Sequence, residues 1–143
     1  MNKAFFSVET LASVVLVKKS GYWDIVTDIA YVTDLAETFA KFKTRNFIVV
    51  VDMRGWVCPD EVKNSEFKTK VVLDRRSQVA ESWIIDSPKD SEHLLQYVES
   101  PSLDFVRSSD MATIFTWLER QSIGDYEIDA VKHWLNMPPD IDS

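Results

Sequence analysis

The side chains best suited to chemistry in this chain are few and far apart. Cys58 is the lone cysteine, set in Trp56-Val57-Cys58-Pro59 just ahead of a predicted helix start, where a helix dipole favours thiolate. A thiol nucleophile needs a base beside it, and His93 and His133 reach Cys58 only if the tertiary fold brings them there. The competing reading is an ordinary, partly buried cysteine. Asp60 and Glu61 follow Pro59 and suit the positive end of a helix. Of the five tryptophans, Trp23 and Trp56 fall at predicted junctions between elements, where an aromatic lines a pocket mouth or a partner surface. The others read as core. Lys63, Lys68, Lys70, Arg75 and Arg76 form a basic stretch suited to an acidic partner or lipid headgroups, but Glu66 and Asp74 interrupt it, as on a solvated helix face.

Composition removes several classes of function. The net charge of −7 opposes a phosphate backbone, so nucleic acid is not an expected partner. One cysteine allows neither an internal disulfide nor a cysteine-based metal cage, and the two histidines have no metal-ligand spacing. The three glycines are too scattered for a phosphate-cradling loop. No carboxylate pair stands out, and no cofactor, metal or catalytic motif is expected. The amino terminus lacks the pattern of a secretory signal and the longest apolar run is too short for a bilayer, so the expected location is the cytoplasm.

The elements that must position these residues are organised around Asn46-Phe47-Ile48-Val49-Val50-Val51-Asp52, whose unbroken apolar run predicts a central strand covered on both faces. The loop after such a strand, here Met53 to Pro59, is the usual place for a site in an open α/β sheet. Phe5–Glu9 and Leu11–Lys18 read as paired strands ending in a turn at Lys19-Ser20-Gly21. Asp24–Lys43 reads as a helix burying Ile25, Ile29, Val32, Ala36 and Phe39, with Lys41 and Lys43 in its last turn. A second helix is expected from Pro59 to about Arg76, and then a strand, Val79–Ile85, with Glu81 and Trp83 on one face and Ala80, Ser82 and Ile84 on the other. A short helix from Ser87-Pro88 to Val98 carries His93, Leu94, Tyr97 and Val98 on or near its inner stripe, and Leu103–Arg107 is an edge strand. Met111, Ile114, Phe115 and Leu118 mark one helix, and Ile128, Val131 and Leu135 a last one over about 126–136, stopped by Pro138-Pro139 and followed by a loose acidic tail.

This order resembles the SpoIIAA-like proteins, relatives of the STAS domains of anti-sigma-factor antagonists. The resemblance is carried by Gly21-Tyr22-Trp23, Asp52-Met53-Arg54-Gly55-Trp56, the strand Val79–Asp86, Phe105-Val106-Arg107 to Ala112, and Trp117-Leu118. It implies an α/β domain with a mixed sheet of four or five strands and helices packed on it, plus kinship with the SEC14/CRAL-TRIO lipid-carrier fold. The expected layout is one domain over 1–143, with its core at about 5–118 and a C-terminal helical extension at about 124–143. STAS antagonists carry a regulatory serine in an Asp-Ser-Ser/Thr-Gly motif after the central strand. Here Asp60 and Glu61 stand in its place, which puts a phosphoserine switch in doubt.

Two functions from different classes follow. The first is a non-catalytic regulatory or protein-interaction module acting through the loop Arg54–Glu61, with a second copy of the chain among the candidate partners. The second is a small carrier or sensor that encloses an apolar or lipid-like ligand between sheet and helices, with Trp23 and Trp56 near the entrance. The residues assigned to ligand or partner are Trp23, Arg54, Trp56, Cys58, Asp60 and Glu61. An enzyme using Cys58 is a distant third.

Overall fold

A computed structural model describes residues 2–137, apart from the side chains of residues 68 and 69. Its strands are β1 (Phe5–Leu11), β2 (Val14–Tyr22), β3 (Phe47–Asp52), β4 (Trp56–Val57), β5 (Gln78–Ile84) and β6 (Asp104–Ser108). Its α-helices are α1 (Ile25–Ala40), α2 (Asp60–Lys63), α3 (Phe67–Lys70), α4 (Met111–Glu119) and α5 (Asp125–Asn136), and Pro88–Tyr97 forms consecutive 3-10 turns. The sheet runs β1-β2-β3-β5-β6, antiparallel between β1 and β2 and parallel elsewhere, and β4 pairs with β2 beyond this path. This is the mixed α/β sheet that the resemblance implied.

The central strand is buried along its whole length, and its side chains alternate between two apolar layers. Val49 and Val51 join Val15, Val17 and Trp83 beneath α1, while Ile48 and Val50 join Val14, Leu16, Ala80 and Ile84 beneath α4 and α5. Helix α5 supplies Val131 and Leu135, both fully buried, to the second layer. Glu127 ties its first turn to the β1–β2 turn by accepting from Ser13 Oγ (2.8 Å) and the Ser13 N–H (3.2 Å). The edge position of β6 and the faces of β5 agree with the sequence reading.

Several boundaries differ from that reading. Lys19-Ser20-Gly21 is strand rather than turn, because β2 continues to Tyr22. Gly21, at φ 77°, donates its N–H to Gly55 O (2.9 Å), and a Cβ there would stand 1.8 Å from Lys3 O. Helix α1 ends at Ala40, so Lys41 caps it and Lys43, at φ 53°, lies outside. Its buried face is Asp28, Tyr31, Val32, Leu35, Thr38 and Phe39, which leaves Ile25 exposed and Ile29 and Ala36 only partly buried. Counting apolar side chains alone turned the stripe away from Asp28 and Thr38, two polar residues that face inward. The expected helix from Pro59 to Arg76 is two single turns followed by irregular chain from Val71, since Val62 and Phe67 stand five apart and Val71, Val72 and Leu73 are consecutive, so no helical stripe is sustained. The Ser87–Val98 segment is 3-10 and not α; Val98 is buried, whereas His93, Leu94 and Tyr97 are partly exposed. Pro138-Pro139 and the acidic tail lie outside the described residues.

Candidate functional site

The loop from Met53 to Pro59 crosses the carboxyl ends of β2, β3 and β5. Trp56 N–H closes a turn onto Met53 O (3.1 Å) with Gly55 at φ 78°, a conformation that glycine adopts without strain. Gly55 N–H donates to Asp86 Oδ2 (2.6 Å), and Met53 N–H to Ile84 O (2.9 Å), which moors the turn to the end of β5. Asp52, buried at the end of β3, accepts from Arg54 Nε (2.9 Å), Arg54 Nη2 (2.8 Å) and the Arg54 N–H (3.0 Å). The bond to Asp52 holds the Arg54 guanidinium more firmly protonated than usual, and Arg54 Nη2 also reaches Leu135 O (2.7 Å) in α5. Arg54 is thus a strut between the loop and α5.

The next residues alternate. In β4, Trp56 turns inward and Val57 outward, opposite Gly21 and Tyr22 of β2 respectively. Val57 is 50% exposed, Tyr22 43%, and the following residues at the head of α1, Ile25 and Val26, are 39% and 77% exposed. Asp60 and Glu61, also exposed, open α2, which packs beside α1. The result is an apolar patch with acidic neighbours at the carboxyl end of the sheet.

Beneath α1 lies a cavity of about 190 Å³. Its inner wall is apolar and aromatic, including Leu35, Phe39, Val49, Trp56 and Trp83. Its partly exposed wall residues, Val71, Leu73, Arg75, Leu94 and Tyr97, come from the irregular chain after α3 and from the 3-10 segment, and they form its mouth. Four charged side chains share the wall, Lys19, Asp28, Arg75 and Glu81. Lys19 Nζ is 3.6 Å from the centre of the Trp56 ring, 4.9 Å from that of Tyr31 and 5.1 Å from that of Trp23, so three aromatic faces surround a cation that is 2% exposed. Glu81 accepts from Trp83 Nε1 (2.6 Å), Gln78 Nε2 (2.7 Å) and Arg75 Nη1 (3.0 Å). Burial, reinforced by Glu81, pushes the Tyr31 phenol well above its ordinary range, so it stays neutral.

The assigned residues therefore separate. Trp23 is not an entrance residue: it is fully buried, packs edge-on to Trp56 at 5.7 Å and donates Nε1–H to Ser20 O (2.9 Å). Trp56 is 3% exposed and belongs to the cavity wall. Arg54 braces the loop, and Asp60 and Glu61 lie on the surface. Cys58, partly buried, has its Sγ 3.9 Å from His93 Nε2, and the His93 ring stacks on Trp56 at 5.9 Å. Helix α2 has one turn, which removes most of the dipole argument for thiolate. His133 is exposed on α5. The basic stretch is divided, with Arg75 turned to Glu81 and Arg76 paired with Asp74. The sequence reading missed Asp28, Lys19 and Glu81 as wall residues; the signal for them was a charge within an apolar period in each case.

Among the described residues no helix is long and apolar enough to cross a membrane. No family model matches the chain, and no curated protein matches it. Among solved structures, it is similar to an anti-sigma factor antagonist from Mycobacterium paratuberculosis, with 17% sequence identity over 71% of this chain and 86% of that one and a TM-score of 0.46.

Proposed function

We propose that this chain is a non-catalytic regulatory module that meets a protein partner at the carboxyl end of its sheet. The observation that supports this is the gathering of Tyr22, Ile25, Val26 and Val57, all exposed, around the β2–β4 pairing. A single exposed valine means little, but a cluster of apolar side chains at the end of a sheet where α/β folds bind is informative. Asp60 and Glu61 beside it suit a partner with a basic rim around an apolar centre. Affinity purification from the source cell with the unaltered chain, Val57→Asp and Glu61→Lys tests the reading. A partner held by the unaltered chain, lost from Val57→Asp and weakened by Glu61→Lys, is the expected result. Undiminished capture by both variants contradicts it.

The cavity beneath α1 favours a second reading, a small carrier or sensor whose ligand lies between sheet and helix. In that reading Trp56 faces the ligand and Trp23 supports it from behind.

A further inference from the structure

We propose that β1 is the contact edge of a homodimer, in which the β1 strands of two copies pair antiparallel about a two-fold axis at Val8. This surface uses none of the patch residues at β4.

The backbone alternation says which groups β1 has to offer. Ser13 O accepts from the Ile48 N–H of β3 and Gly21 donates to Gly55 O, whereas Tyr22 donates to Asn2 O on the other side of β2. Successive residues of a strand turn their backbone groups to opposite sides, so Val14, Leu16, Lys18 and Ser20 turn theirs to β1. Their partners in register are Leu11, Glu9, Ser7 and Phe5, which spend their N–H and C=O groups inside the sheet. Phe6, Val8 and Thr10 therefore turn theirs outward, and among the described residues no hydrogen bond reaches them.

Edge strands are normally guarded by shortness, charge, proline or cover. The opposite edge, β6, has such guards: it is five residues long with Asp104 and Arg107, and Trp117 Nε1–H and Gln121 Nε2 donate to Asp104. β1 has seven residues, Phe-Phe-Ser-Val-Glu-Thr-Leu, with one charge, no proline and an unbroken register against β2. Phe6 and Val8 pack against the layer beneath α1 yet stay partly exposed, so apolar surface remains at this edge.

Symmetry selects a second copy as the occupant. With the axis at Val8, Val8 pairs with its own copy, Phe6 with Thr10 and Thr10 with Phe6, and each pair exchanges two N–H to O bonds, which uses every outward group of that row. The same register sets Phe5 against Leu11 and Ser7 against Glu9, so the one charge of each strand never meets its copy. Beyond Ser7 on that face stands Lys18 of β2, whose contact with Asp52 is loose at 3.9 Å, a cation for the incoming Glu9. A foreign strand finds the same backbone groups, but the self-complementary register favours a copy.

Sedimentation equilibrium of the full chain over a range of concentrations tests this. The expected result is a monomer–dimer equilibrium with a dissociation constant in the micromolar range, since one pair of short strands is a small interface. Val8→Pro removes an outward N–H that β2 does not use, a change that edge strands tolerate, and is expected to be monomeric. Ser7→Glu sets glutamates against each other in both symmetric pairs and is expected to weaken the dimer about tenfold, whereas Ser7→Lys holds it as tightly or more so. If Val8→Pro loses its fold, the two Ser7 variants decide. A monomer at every concentration of the unaltered chain overturns the proposal and leaves the edge to a strand of another protein. A dimer that withstands Val8→Pro, or that responds alike to Ser7→Glu and Ser7→Lys, places the contact elsewhere and overturns it too.

Discussion

Tyr22 and Val57 are opposite each other across the short pairing of β2 with β4, and both are exposed, while Gly21 and Trp56, one step back along the same pair, are buried. A two-residue strand thereby serves two sites. Its inward residue lines the cavity beneath α1 and its outward residue centres the patch proposed for a partner. The alternation of a strand is enough to produce this, provided the loop before it is rigid.

That rigidity centres on Arg54. Truncating Arg54→Ala leaves Asp52, which is 2% exposed, with the Arg54 N–H and with Lys18 at 3.9 Å, and it cuts the tie to Leu135 O. Removing one partner of a buried, hydrogen-bonded pair is costly, and because Arg54 itself is partly exposed the expected loss is about 2–3 kcal/mol in urea denaturation. Arg76→Ala breaks a bidentate pair of the same chemistry at the surface and should leave the midpoint nearly unchanged. Equal losses would show that Arg54 is no strut.

Stability should depend on pH through Glu127. Burial alone would raise its pKa, but bonds from the Gly124 N–H, Ser13 Oγ and the Ser13 N–H outweigh burial and hold it below the ordinary 4.5. A carboxyl depressed in the folded state contributes stability that is complete above its unfolded value and lost as pH falls through the folded one. Glu127→Gln should therefore be less stable than the unaltered chain at pH 7, with the gap narrowing below about pH 4.5. A gap that is constant from pH 7 to pH 3 contradicts this assignment.

Cys58 should behave as a spectator. Its Sγ is 3.9 Å from His93 Nε2, a long contact even for a thiol, and the helix that follows it has only one turn to favour thiolate. Slow labelling by iodoacetamide at neutral pH, little altered by His93→Ala, is the expected outcome. Rapid, stoichiometric labelling that His93→Ala abolishes would contradict a non-catalytic module.

The parts of the fold legible in the sequence were those with an unmixed hydrophobic period. The run Phe47–Val51 gave the central strand and its two covered faces, and the periods of α4 and α5 located both helices. The errors came where polar residues face inward. Asp28 and Thr38 turned the apparent stripe of α1, and Lys19 made β2 look finished four residues early. The loop Arg54–Glu61 was found from its place after the central strand, but the apolar patch beside it was not. Tyr22 reaches the surface because β4 pairs beyond the main sheet, which no local pattern encodes. Cys58 and His93 meet only because the 3-10 segment folds back toward the loop.

The most direct test of the interaction surface is site-specific photocrosslinking in the source cell, with benzoylphenylalanine placed at Val57 and, as a control, at Val72, which is 86% exposed and lies outside the patch. A discrete protein adduct from position 57 and none from position 72 is the result predicted here. No adduct at position 57, or the same adduct from both positions, would contradict an interface centred on β4.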